Sequence, residues 1–301
     1  MRISTANFYE TGVARLMEKQ TSLAKIQQQI ATGRRILAPS DDPVGSARAL
    51  EISQSQSVNT QYGVNRQNVK DALNLVESNL GSVTTLLQDA KTAVIQAGNG
   101  AFSDADRNSI AIDLKEQLDQ LVSLANARDG LGNYMYSGYK SDTQPFTRTA
   151  AGATYIGDSG QQMVQVDGSR QIAMNVTGDT VFGTGTPQDV FKTLNDLVTL
   201  LQTPGTAGLT AGLDTAHGNI DKALDNVLTV RASVGARLKE IESLDNLGTD
   251  VDLQYSDALS TIQDLDYAKA ASDLTQQKIT LDAAQQTFVQ ISKLSLFNYI
   301  G

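Results

Sequence analysis

Between residues 69 and 94 the apolar side chains fall at Val69, Leu73, Val76, Leu80, Val83, Leu87, Ala90 and Val94, alternating strictly by four and three. A strand repeats every two residues and cannot produce that spacing. It is a helical seam that another helix must cover. With a polar lead-in from about Gln54, the pattern predicts a helix of about 40 residues, roughly 60 Å long. Gly98-Asn99-Gly100 stops it.

A second helix opens at Ser103, a candidate N-cap with Asp104 and Asp106 in the first turn, where the helix dipole favours acids. Its face reads Ile110, Leu114, Gln117, Leu121, Leu124 and Arg128, before Asp129-Gly130 breaks it. Together the two predict an antiparallel helical hairpin.

From 141 to 185 glycine recurs and the period falls to two: Val164 and Val166, the turn Asp167-Gly168-Ser169, then Ile172, Met174 and Val176. This predicts a β-hairpin with short strands near Tyr155 and Phe182. Helix returns at Thr186-Pro187-Gln188-Asp189, read as a capping Thr with Pro at N1, and its face is Val190, Leu194, Leu197, Val198 and Leu201 up to Pro204-Gly205. A long seam follows at Leu213, His217, Ile220, Leu224, Val227, Arg231, Val234, Leu238 and Ile241. Gly248 is read as a break, after which Leu274, Gln277, Leu281, Ala284, Phe288 and Ile291 keep heptad spacing in a last helix.

The expected fold is therefore mainly α, an elongated bundle to which both chain ends contribute, with a small β-rich domain inserted in the middle. Residues 1–40 and 262–301 are expected to be terminal assembly helices, 41–140 and 186–261 a helical rod, and 141–185 the β domain. Only 5% of the 301 residues are aromatic, Trp is absent and there are five prolines, which suits long helices packed through aliphatic side chains.

The two ends pose a physical problem. An N-terminal helix over roughly 5–32 has Leu16, Leu23 and Ile30 seven apart, interrupted by Lys19 and Gln20. Burying each such side chain is worth about 1.5–3 kcal/mol, against about 1–2 kcal/mol to order each residue. A thin stripe on a lone helix loses. At the other end Leu294, Leu296, Phe297, Tyr299 and Ile300 crowd together, an apolar terminus unsuited to a soluble monomer. Both ends are expected to be disordered in the monomer and to become helical when neighbouring copies cover them. The predicted assembly interface is Leu16, Leu23, Ile30, Leu274, Leu281, Phe288, Ile291, Leu294, Leu296 and Phe297.

The two ends also differ in charge, as expected if they lie beside one another or beside the ends of neighbouring copies, or else as local variation with a basic leader. Residues 1–35 hold Arg2, Arg15, Lys19, Lys25, Arg34 and Arg35 against Glu10 and Glu18, while residues 245–301 hold eight Asp and three Lys. The net charge of −9 repels phosphate backbones and anionic lipid, so neither nucleic acid nor membrane is an expected partner. Without cysteine there is no disulfide or thiolate metal site. The start, MRISTANFYETGVARL, lacks an apolar h-region, so any export is expected to read an uncleaved segment.

Three stretches resemble one family. Residues 31–43, Ala-Thr-Gly-Arg-Arg-Ile-Leu-Ala-Pro-Ser-Asp-Asp-Pro, are similar to the signature loop of the flagellin superfamily, in the form carried by its hook-associated protein 3 family of hook–filament junction proteins. Tyr134-Met135-Tyr136-Ser137-Gly138 with Pro145-Phe146 resembles the lead-in to that family's β domain, Tyr136 standing where Phe is commoner. The third is the ending Leu294-Ser295-Leu296-Phe297-Asn298-Tyr299-Ile300, with Asp264-Leu265-Asp266-Tyr267 through Gln285-Gln286 before it. The resemblance implies an extracellular flagellar component exported by the flagellar type III apparatus with a cytoplasmic chaperone. It also implies a ring of copies between hook-associated protein 1 and the flagellin filament, without cofactors.

Nothing else in the chain points to chemistry. Asp41-Asp42, flanked by prolines, reads as a turn and helix cap rather than a metal pair. Asp264 and Asp266 read as a solvated or subunit-facing pair, His217 as a tolerated or partly buried histidine, and Asn175-Val176-Thr177 as a chance glycosylation pattern. Gly98-Asn99-Gly100 and Gly183-Thr184-Gly185 are too short for phosphate loops. No catalytic, cofactor or metal residues are expected. Three rival readings stay open: a flagellin-type filament subunit, a secreted helical-bundle effector of another type III system, and an enzyme.

Overall fold

The structure, a computed structural model, describes residues 2–186 and 188–300, with side chains for residues 7, 9–186 and 188–291. The element order is α1 (Arg2–Thr32), α2 (Pro43–Ala97), α3 (Asp104–Ala125), β1 (Phe146–Thr149), β2 (Gly152–Tyr155), β3 (Met163–Asp167), β4 (Arg170–Ala173), α4 (Gly178–Phe182), α5 (Val190–Gln202), α6 (Leu209–Gln263) and α7 (Tyr267–Ile300). The fold is mainly α with a small β region in the middle. It divides into two compact units, Met1–Val58 with Asp250–Gly301, and Asn59–Thr249.

The second unit holds the main core. All eight residues of the α2 seam are buried there. α6 runs antiparallel to α2, as the pairings Arg66–Asp245, Glu77–Arg231 and Lys91–Asp221 require. The buried face of α6 is Leu213, Ala216, Ile220, Ala223, Val227, Val230, Val234 and Ile241. That corrects the expected seam at three places, with Ala216, Ala223 and Val230 buried in place of His217, Leu224 and Arg231. His217 is 39% exposed at its side chain, Leu224 and Leu238 pack only at the margin of the core, and Arg231 reaches out to Glu77. Small alanines let the helices approach closely, so they occupy the inner positions and the larger side chains flank them.

α3 shows the same kind of shift. Ser103 caps it as expected, and Asp106 adds the reciprocal bond of a capping box. Its buried face, however, is Arg107, Ala111, Leu114, Leu118, Leu121 and Ala125, and the helix ends at Ala125 before reaching Arg128. α5 packs against α3 with Leu194, Leu197 and Leu201 inward. Asp189, not Thr186, caps α5, accepting from the N–H groups of Phe191 and Lys192 at 3.0 Å each. Pro187 lies outside the described residues.

The β region is two separate antiparallel hairpins, β1–β2 and β3–β4. The second has the expected Val164↔Ile172 register, with an irregularity between Gln165 and Asp167. Phe182 is not in a strand but in the single turn of α4, where its ring lies 5.5 Å from Tyr136, 5.2 Å from Phe146 and 5.3 Å from Phe191. This aromatic cluster is the local core.

Gly248 does not break the chain: α6 continues through it to Gln263. The interruption falls instead at residues 264–266.

Candidate assembly interface

The first unit is built around the pairing of α1 with α7. The two run antiparallel: Tyr9 meets Phe288 edge-on at 5.7 Å between ring centroids, and the other end of α1 reaches Gly33, where an added Cβ would lie 2.9 Å from the Tyr267 hydroxyl. Gly12 is a close-approach position, since a Cβ there would stand 2.7 Å from the Phe288 ring. Of the predicted interface residues, Leu16, Leu23, Ile30, Leu274 and Phe288 are partly buried between these helices, Leu281 is buried, and Ile291 is 38% exposed. The side chains of Leu294, Leu296 and Phe297 lie outside the described residues.

This pairing buries little. Among the described side chains of the unit, only Ala49, Ala270 and Leu281 are buried, while Met17, Val44, Leu50, Leu253 and Ile279 are largely exposed.

The signature loop at residues 33–42 fixes how the terminal helices leave the long ones. Gly33, at φ 70°, turns the chain out of α1, a conformation that glycine adopts without a Cβ penalty. The loop then forms a short antiparallel bridge with the link between α6 and α7. Arg35 N donates to Gln263 O at 2.7 Å, and Leu265 N donates to Gly33 O at 3.0 Å. The Arg35 guanidinium donates to Ile262 O at 2.7 Å and pairs with Asp42 at 3.2 Å.

The two adjacent aspartates have distinct structural tasks, as expected of a turn and cap. Asp41 pairs with Lys25 at 2.6 Å and accepts from the N–H groups of Leu37 and Ala38. The Lys25 bond, helped by those amides, holds its carboxyl below the ordinary aspartate range. Asp42 precedes Pro43, the first residue of α2, and accepts from Gly45 N at 2.8 Å; that bond and Arg35 lower its pKa too. Lys25, Gln29 and Gln263 complete the joint, and sequence reasoning missed all three. The only available signal was their closeness to the loop along the chain or in heptad register.

Asp264 and Asp266 are both exposed, in keeping with a solvated or subunit-facing pair, and each also has a structural task. Asp264 accepts from the Ser260 hydroxyl at 2.5 Å, and Asp266 caps α7 by accepting from Lys269 N at 3.0 Å. Neither lies within a helix. The Asn175 side chain is 9% exposed as a residue and committed, accepting from Gln162 N and donating to Gly160 O. Among the described residues no group of three or more His, Asp or Glu is placed to hold a metal, and no helix is long and apolar enough to cross a membrane.

Paired terminal helices, a loop that joins them to two long helices and a small β insert define a flagellin-type structural protein of the bacterial flagellum. The family models for the bacterial flagellin N-terminal and C-terminal helical regions match residues 3–141 and 217–300. Flagellar hook-associated protein 3 of Escherichia coli (strain K12) is 36% identical over 316 residues, covering 99% of each chain. Its counterpart in Salmonella typhimurium (strain LT2) is 35% identical over 315 residues, again covering 99% of each. The crystal structure of flagellar hook-associated protein 3 from Legionella pneumophila shares the fold, with a TM-score of 0.64 at 22% identity over 70% of this chain and 98% of that one. The chain belongs to the flagellar hook-associated protein 3 family.

Proposed function

We propose that this chain forms the junction between the hook and the flagellin filament, acting mechanically and without catalysis. The observation that carries the reading is the thinly buried first unit. Its α1–α7 pair leaves Met17, Leu50 and Ile279 in solvent, so it needs further chains to complete a core. Covering each such side chain contributes about 1.5–3 kcal/mol, enough for a ring of copies to order helices that a lone copy holds weakly.

In this reading hook-associated protein 1 lies on the hook side, flagellin on the filament side, and copies of this chain between them. The chain reaches its extracellular place through the flagellar type III apparatus, unfolded and accompanied by a cytoplasmic chaperone. The residues that could suggest chemistry support the non-enzymatic reading, because each is occupied elsewhere. Asp41, Asp42 and Asp266 hold turns and helix starts, and His217 lies 3.5 Å from Asp221.

A second reading, a filament subunit, is favoured by the match of both flagellin helical regions. Gene deletion in the host separates the two, with hooks imaged and the medium probed for flagellin. Bare hooks with intact flagellin in the medium support the junction. Bare hooks with no flagellin in the medium make this chain the filament subunit, and normal filaments overturn both.

A further inference from the structure

We infer that Asn99 is a site of spontaneous covalent modification, in which the Gly100 backbone nitrogen displaces the Asn99 side-chain amide in the turn between α2 and α3. Asn99 is the one asparagine in the sequence that precedes a glycine. The missing side chain at Gly100 matters because the attacking nitrogen is otherwise screened by the following Cβ. Here a Cβ built on Gly100 would meet nothing within 4 Å, and both residues are exposed.

The turn also sets the geometry. α2 ends at Ala97, and the chain reverses through Asn99 N donating to Gln96 O at 3.0 Å and Phe102 N donating to Asn99 O at 3.0 Å. The Gly100 N–H has no acceptor among the described residues. Meanwhile Ala101 N donates to Asn99 Oδ1 at 3.1 Å. This bond closes a turn whose ring contains both the Asn99 side-chain carbonyl and the intervening Gly100 nitrogen. It also withdraws electrons from the Cγ carbonyl, as a donor placed on a developing oxyanion does. Other asparagines are held differently: Asn65, Asn126 and Asn226 donate their amides to backbone carbonyls across the fold.

The reaction balances without any oxidant or cofactor. A bond forms between Gly100 N and Asn99 Cγ, the Cγ–Nδ2 bond breaks, and the nitrogen leaves as ammonia with the proton given up by Gly100 N. Water then opens the five-membered imide at either carbonyl, giving aspartate or isoaspartate. Each product is more acidic by one charge and heavier by about 1 Da. The new carboxylate sits beyond the last turn of α2, where unpaired carbonyls already concentrate partial negative charge. Isoaspartate additionally lengthens the backbone of a turn that joins two core helices.

The test is incubation of the full chain, folded, at mildly alkaline pH, with peptide mapping by mass spectrometry and isoaspartyl methyltransferase labelling. The mass gain and the methyl label should fall on the peptide containing Asn99. Asn99→Gln should abolish both, and Gly100→Ala should slow them by roughly tenfold because the added Cβ covers the nitrogen. Circular dichroism of each variant confirms that the fold persists. An unmodified Asn99 peptide would overturn the inference, as would an unchanged rate in Gly100→Ala. A native rate far below that of the urea-unfolded chain would also overturn it, because the fold would then protect the site.

Discussion

The guanidinium of Arg66 lies directly against the backbone of Gly248, in the space that a Cβ at that position would occupy. From there it pairs with Asp245 at 2.5 Å through Nε and donates to Val166 O at 3.0 Å, although Arg66 itself is only 4% exposed. Asn59 adds a bond to Gly248 O at 2.8 Å. One glycine thus lets a buried cation fasten α2 to α6 and both to β3. By helix propensity alone Gly248→Ala should stabilise by roughly 1 kcal/mol. The expected outcome is instead a loss of about 2 kcal/mol, since displacing one partner of a buried pair costs more than propensity returns. Urea unfolding of Gly248→Ala, Arg66→Ala and the double variant checks it: in the Arg66→Ala background the glycine substitution should no longer destabilise.

The buried hydroxyl of Tyr136 donates to Asn79 Oδ1 at 2.7 Å, in a position where a phenylalanine would suffice for packing. Tyr136→Phe should cost about 1 kcal/mol by leaving the Asn79 oxygen short of a donor. Adding Asn79→Leu should recover part of the loss, read from the thermal midpoint.

Burial also governs when these rings ionise. It raises the Tyr136 pKa far beyond the ordinary tyrosine value, and it raises that of Tyr155 to about 12, with Asp179 adding to the shift. A raised phenol favours the fold below its unfolded pKa, and that contribution is lost as pH rises through the folded one. An absorbance step for phenolate at about 12 should therefore be present in the native chain and missing from Tyr155→Phe.

How far sequence reasoning reached depended on which residue types carried the signal. The α2 seam was legible because its eight positions are seven large aliphatics and one alanine, and the other buried apolar residues beside it, Leu86, Ala93 and Ala97, only widen the same face. On α6 two stripes overlap, sharing Leu213, Ile220, Val227, Val234 and Ile241, and hydrophobicity favours Leu224 over Ala223. Close helix packing favours the alanine, and only the structure resolves that contest. Gly248 misled for a related reason, because a glycine within a helix signals either an end or a close approach. Phe182 misled because five residues are too few to reveal a period. In the first unit the turn role of Asp41-Asp42 was readable, while the Arg35–Gln263 bridge links residues with no shared pattern.

The signature loop should respond to acid in a defined sense. Asp41 and Asp42 both have pKa values lowered in the fold, so their contribution is fully present above the ordinary aspartate range and is lost as pH falls through the lower folded values. NMR titration should show the Leu37, Ala38 and Gly45 amide signals holding steady through the ordinary range and moving only below it. In Asp41→Asn the Leu37 and Ala38 transitions should disappear, with that of Gly45 retained.

Exposure and burial in the first unit make separable demands on a mutant. Leu50 and Ile279 are 72% and 64% exposed, so Leu50→Asp and Ile279→Asp remove no packing within one chain and should change its stability by less than about 0.5 kcal/mol. Leu281 is buried between α1 and α7, and Leu281→Ala should weaken that pairing by about 2–3 kcal/mol, with α1 becoming more protease-sensitive. If the exposed side chains exist to be covered by other chains, all three variants should leave cells with bare hooks. Only Leu281→Ala should also alter the isolated protein. Electron microscopy of the cells, set beside proteolysis and thermal unfolding of the purified variants, reads both halves. Normal filaments from the Leu50→Asp, Ile279→Asp double variant would show that this apolar face is not where the copies meet. Assembly would then have to rest on the α1–α7 seam and on the signature loop, whose Lys25–Asp41 and Arg35–Asp42 pairs hold the terminal helices to the rest of the unit.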